Sequence, residues 1–89
     1  MLIVPEREIA NLMTRAAAFD AVEQVFAAMA AGDAYNFPVV REAIGHEDAL
    51  YGFKGGFDRA GLTLGLKAGG YWPNNLEKRN LINHQSTVF

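Results

Sequence analysis

The stretch Leu62-Thr63-Leu64-Gly65-Leu66-Lys67-Ala68-Gly69-Gly70-Tyr71 decides the fold class. Leu62, Leu64 and Leu66 alternate with Thr63, Gly65, Lys67 and Gly69. A period of two is the signature of a strand with one face turned inward. The leucine face is expected to join a core. The opposite face carries one cation among residues with almost no side chain. Glycine weakens a strand interior and marks places where a ligand or another backbone comes close. Lys67 therefore has room beside its ammonium for a small anion, and it is the leading functional candidate. The plain alternative is a solvated strand lysine.

Working outward, Ala49–Phe57 reads as the preceding strand, with Asp58–Gly61 as the turn between. Phe37–Ile44 reads as the strand before that, and the polar Gly45-His46-Glu47-Asp48 as a hairpin loop. Short loops between successive strands make an antiparallel meander. Upstream, Leu2–Val4 reads as a short strand. Pro5 opens a helix that runs to about Met13, and Thr14 caps the next. Arg15–Ala31 is alanine-rich and helical. Ala18, Val22, Val25, Phe26 and Met29 recur at helical spacing as a stripe expected to pack on the sheet. Gly32 closes that helix, and Gly32–Asn36 reads as a turn. Trp72–Asn83 reads as a long surface loop, and Gln85–Phe89 as a strand just beginning where the sequence stops. This order predicts an α+β fold, two N-terminal helices packed on a mostly antiparallel sheet. The leucines and the helical stripe are expected to supply the core, leaving the other sheet face open or partnered.

A chain of 89 residues is one domain at most. Its net charge of −2 gives no electrostatic reason to expect nucleic acid or an anionic membrane as partner. Without cysteine there is neither a disulfide nor a thiolate metal site, and His46 and His84 lie far apart, so no metal is expected. No secretory leader and no membrane-spanning run is visible, which makes the cytoplasm the default. Gly55-Gly56 and Gly69-Gly70 lack the spacing of phosphate-binding loops. No nucleophile–base pair can be assigned. Arg41 sits centrally in an otherwise apolar strand face, and arginine grips a carboxylate with two parallel hydrogen bonds. Its plain alternative is an ion pair with Glu42 or Glu47. If both strands lie in one sheet, Arg41 and Lys67 converge on one dianionic ligand. Ser86 and Thr87 carry hydroxyls able to reach a phosphate or ribose.

Leu64-Gly-Leu-Lys67-Ala-Gly-Gly, the loop after it, and Asn83-His-Gln-Ser-Thr-Val88 together resemble the amino-terminal part of the ornithine cyclodeaminase/μ-crystallin family. The opening helices and the Pro38-Val-Val-Arg41 strand fit as well. Tyr35–Lys54 and Gly69–Pro73 are especially similar to the branch that reduces iminosuccinate with NADH to L-aspartate in the β-hydroxyaspartate cycle. The resemblance implies a homodimeric enzyme of two domains, one for substrate binding and dimerisation, the other a Rossmann domain for NAD(H) or NADP(H). It implies that Arg41 meets the substrate carboxylate. It implies that Lys67 touches the substrate and serves in proton transfer, and that Ser86 or Thr87 lies near the cofactor. The substrate it implies is a small imino or amino dicarboxylate. Ornithine cyclodeaminase or amino-acid dehydrogenase activity, or a non-catalytic role in binding a small ligand or in dimerisation, are the alternatives. The family's Gly-rich dinucleotide fingerprint and catalytic aspartate have no counterpart here. Residues 1–89 are therefore expected to be an incomplete substrate-binding and dimerisation domain, inactive alone.

Overall fold

The computed structural model describes all 89 residues. Three helices and five strands follow one another: α1 (Glu6–Leu12), α2 (Arg15–Ala30), β1 (Ala34–Asn36), β2 (Val40–Ala43), β3 (Leu50–Asp58), β4 (Thr63–Tyr71), α3 (Asn75–Arg79) and β5 (His84–Val88). The class is α+β, as the sequence predicts.

The helix boundaries are set locally. Pro5 precedes α1 in an extended conformation, and Glu6 and Glu8 lie in its first turn, where the helix dipole favours negative charge. Thr14 Oγ1 accepts a hydrogen bond from the Ala17 amide at 3.1 Å, capping α2. At the other end Gly32 takes a left-handed φ of 79°. The Asp33 amide donates back to Ala28 and the Gly32 amide to Met29. That is the double closure by which a left-handed glycine ends a helix.

All strand pairs are antiparallel, in the order β1-β3-β4-β5, with β2 also on β3. The nine-residue β3 is the hub. Its far half pairs with β1 (Ala34↔Asp58 to Asn36↔Gly56) and its near half with β2 (Val40↔Phe53 to Ala43↔Leu50). Strands β1 and β2 thus lie end to end along one edge of β3, and the Phe37 amide donates to the Gly55 carbonyl between them. Along the other edge β4 pairs over its whole length, from Leu50↔Tyr71 to Asp58↔Thr63.

Four expectations are corrected. Leu2–Val4 forms no strand, because no neighbouring segment pairs with it. Within the expected turn Gly32–Asn36, Ala34–Asn36 is β1, drawn into the sheet by its pairing with β3. The Asn-rich Trp72–Asn83 loop contains α3. Leu62 lies in the turn with φ 50°, so the strand begins at Thr63 and only Leu64 and Leu66 remain in the leucine row.

The anticipated core is absent from the chain taken by itself. Only Ala34, Ala49 and Asn75 are buried. Leu64 is 67% exposed and Phe26 64%, because the helical stripe does not lie over the leucine face. Helix α2 meets the sheet chiefly at β1. There Val25 and Met29 border an open gap of about 210 Å³ against Ala34–Asn36.

Candidate functional site

Residues paired across a sheet point to the same side, and period two carries each face along a strand. The register therefore assigns the faces. One row runs Arg41↔Gly52↔Gly69↔Ser86 across β2, β3, β4 and β5. Two positions along, Lys54 pairs with Lys67 and Lys67 with Val88. Two positions the other way the row is Ala43↔Leu50↔Tyr71↔His84. Arg41, Lys54, Lys67, Ser86 and His84 consequently share one face, and they line a groove of about 160 Å³. The structure brings together Arg41 and Lys67, the two cations singled out in the sequence. Thr87 pairs with Ala68 and lies on the opposite face. Ser86 is the hydroxyl in the groove.

The glycines explain why the floor is bare. A Cβ on Gly52 would strike the Val40 carbonyl oxygen and stand 3.3 Å from Arg41 Cα. A Cβ on Gly69 would strike Ser86 Cβ and stand 2.7 Å from the Gln85 carbonyl oxygen. Glycine at these positions lets β2 and β5 close in from both sides while leaving space above the floor. At the end of the groove the His84 ring lies against Tyr71, centroids 4.7 Å apart. The buried Asn75 helps fix where β5 starts: its Nδ2 donates to the Ile82 carbonyl at 3.4 Å. The Leu76 amide donates to Asn83 Oδ1 at 2.9 Å.

The electrostatics are lopsided. The ion pairs of the chain are Arg7–Glu8, Lys78–Glu47 and Arg79–Glu47, and none involves Arg41, Lys54 or Lys67. Neither neighbour proposed for Arg41 is available. Glu42 pairs with Tyr51 on the other face. Glu47 is held by Arg79 at 3.0 Å and Lys78 at 3.2 Å. The Arg79 guanidinium first, then the Lys78 ammonium, holds the Glu47 carboxyl well below its ordinary value, at about 2. Three cations thus face one groove with no carboxylate between them, in a chain whose net charge is −2. Such a groove suits a small ligand carrying more than one negative charge. No group of three His, Asp or Glu side chains gathers to hold a metal.

Lys54 is the groove residue that sequence reasoning passed over. Its strand face was legible, since it shares parity with Gly52. Its position opposite Lys67 depends on the register of the β3–β4 hairpin. For a dinucleotide the fit is partial. Every ladder is antiparallel and no Gly-rich phosphate loop is present, so the chain holds no βαβ nucleotide-binding unit. Of the two hydroxyls Ser86 and Thr87, it offers that of Ser86 from within the groove.

Comparison with known proteins agrees with this fold. No family model matches the chain. The iminosuccinate reductase of Paracoccus denitrificans (strain Pd 1222) is 78% identical over all 89 residues, which cover 28% of that protein. Its crystal structure in complex with NAD+ superposes with a TM-score of 0.93 over the whole chain, 27% of the solved one. The Δ1-pyrroline-2-carboxylate reductase of Thermococcus litoralis, solved with NADH and L-proline, is 16% identical; it matches 99% of this chain and 27% of its own with a TM-score of 0.90. That second likeness is one of fold. The chain spans little more than a quarter of the length of either relative. In sequence and in fold, these 89 residues are similar to the matching quarter of iminosuccinate reductase.

Proposed function

We propose that this chain supplies the substrate grip of an NAD(P)H-dependent imine reductase that converts iminosuccinate to L-aspartate. On this reading residues 1–89 are the N-terminal part of its substrate-binding and dimerisation domain. The observation that carries the proposal is the pair Arg41 and Lys67, on one face over Gly52 and Gly69 and free of carboxylate partners. The 78% identity to a reductase supports it.

The Arg41 guanidinium takes a substrate carboxylate through two parallel hydrogen bonds, which fixes the substrate in position as well as binding it. Lys67 places an ammonium beside the imine, where positive charge already in place favours electron flow toward nitrogen. The same ammonium, or a water it orders, delivers the proton to that nitrogen. The nicotinamide, when bound, supplies hydride to the imine carbon. Of the two hydroxyls, Ser86 is the one we assign to the cofactor, since it shares the groove with Lys67. The bare apolar surface suits a homodimer, and the cysteine-free sequence suits the cytoplasm. The β-hydroxyaspartate cycle is the setting that the family resemblance suggests.

The test is NADH oxidation by the whole protein with oxaloacetate and ammonia, which form the imine in solution. Lys67→Ala should lower turnover by about 10²- to 10⁴-fold, the scale of a lost proton donor. Arg41→Ala should act mainly on KM. Unchanged kinetics in either variant removes that residue from the scheme.

A further inference from the structure

We infer that Lys54 is the specificity-determining residue of the groove. Beside Lys67, it holds the second carboxylate of a short dicarboxylate substrate, leaving Arg41 for the carboxylate next to the reacting carbon. This rests on the reductase reading and assigns a third cation to its site.

Lys54 and Lys67 are direct cross-strand partners and line the same groove. Like charges set opposite each other in a ladder oppose folding. No ion pair relieves either one. Asp58, the one acid of β3, lies four positions away, and its Oδ1 accepts from the Ala60 amide in its own turn. An arrangement that costs stability in the free protein is resolved by an anion seated between the two ammonium groups. The Arg41 row and the Lys54–Lys67 row are two residues apart, roughly 7 Å along the strand. That spacing suits a diacid with a few carbons between its carboxyl groups. A monocarboxylate held by Arg41 would leave Lys54 facing Lys67 uncompensated. Lys54 therefore favours the dianion and disfavours its single-acid analogue, through the same charge.

The discriminating variant is Lys54→Met in the whole protein, which keeps the apolar stem and removes the charge. Rates are measured for the imine of oxaloacetate and for that of pyruvate, each formed with ammonia. The ratio of kcat/KM values, diacid over monoacid, should fall by about 10- to 100-fold, the scale of one lost charged hydrogen bond. The loss should appear in KM, and Lys54→Arg should restore the ratio. An unchanged ratio overturns the inference. A second readout needs no turnover: succinate should raise the Tm of the wild type more than propionate does, and Lys54→Met should lose that difference. If the wild type reduces neither imine, the reductase reading falls, and the succinate shift still decides Lys54. Retention of the shift in Lys54→Met overturns its role.

Discussion

Gly69→Ala and Gly65→Ala make the same chemical change four residues apart on one face of β4, and their effects should have opposite signs. At Gly69 the new methyl would meet Ser86 Cβ, would stand 2.7 Å from the Gln85 carbonyl oxygen and 2.9 Å from Ser86 Cα. All three atoms belong to β5, and two are backbone, so no side-chain rotation relieves them. To reach ordinary contact distance β5 must retreat by about 0.5–1 Å. Overpacking of this kind costs about 1–3 kcal/mol. The entropy that alanine removes from the unfolded chain offsets only about 0.4–1 kcal/mol of it. At Gly65 the nearest atom is the Phe89 carbonyl oxygen at 3.9 Å, an ordinary contact. There the entropic gain stands alone, and stability should rise by about 0.4–1 kcal/mol. Urea denaturation of the whole protein, with the slope checked for constancy, measures both. Activity adds a second reading, because the retreat of β5 draws Ser86 out of the groove at Gly69 and leaves it in place at Gly65. If Gly69→Ala is as stable and as active as Gly65→Ala, the tight β4–β5 contact is not a feature of the folded protein.

Thr14→Ala removes the side-chain acceptor for the Ala17 amide and should cost about 1 kcal/mol in the same denaturation assay, whereas Thr14→Ser should cost much less. Glu47 should show an acid signature. Its folded pKa lies below its ordinary value of 4.5, so its contribution to stability is complete above about pH 5 and is lost as pH falls toward 2. The Tm difference between wild type and Glu47→Gln should close over that window; a difference that persists at pH 2 contradicts the ion-pair account. The isolated 89-residue chain, lacking a βαβ unit, should show no tight binding when titrated with NADH. Micromolar affinity would contradict the assignment of cofactor binding to residues outside this segment.

What the sequence revealed follows from how local each determinant is. Thr14 and Gly32 bracket α2 because capping acts within a turn, and both ends were legible. The shared face of Lys67 and Gly69 needed only strand parity. Strand β1 was missed because Ala34–Asn36 is three residues long and owes its conformation to its partners Gly56–Asp58, far along the chain beyond β2. Leu62 read as strand because it continues the alternation of Leu64 and Leu66, while its left-handed backbone belongs to the turn. The core was misjudged for a related reason. Periodicity says which apolar side chains face the same way, and nothing about what covers them. In the site, Arg41 and Lys67 were recognisable from their neighbours, whereas Lys54 required the pairing of two strands.

The turn between β3 and β4 lies far from the groove, yet it sets the groove's chemistry. The Ala60 amide donates to Asp58 Oδ1, Thr63 Oγ1 donates to the Gly61 carbonyl, and the Arg59 amide donates to Asp33. These contacts define a loop length, and loop length defines which side of the sheet each residue of the following strand occupies. A single residue added or removed there and taken up by the ladder would invert Lys67 to the reverse side while Arg41 and Lys54, tied through β2 and β3, stayed put. Changes of two residues would preserve the pairing sense. The alignment of these three cations is therefore guarded by an odd–even rule at a surface bend, and variation in that bend that the ladder must absorb should come in steps of two.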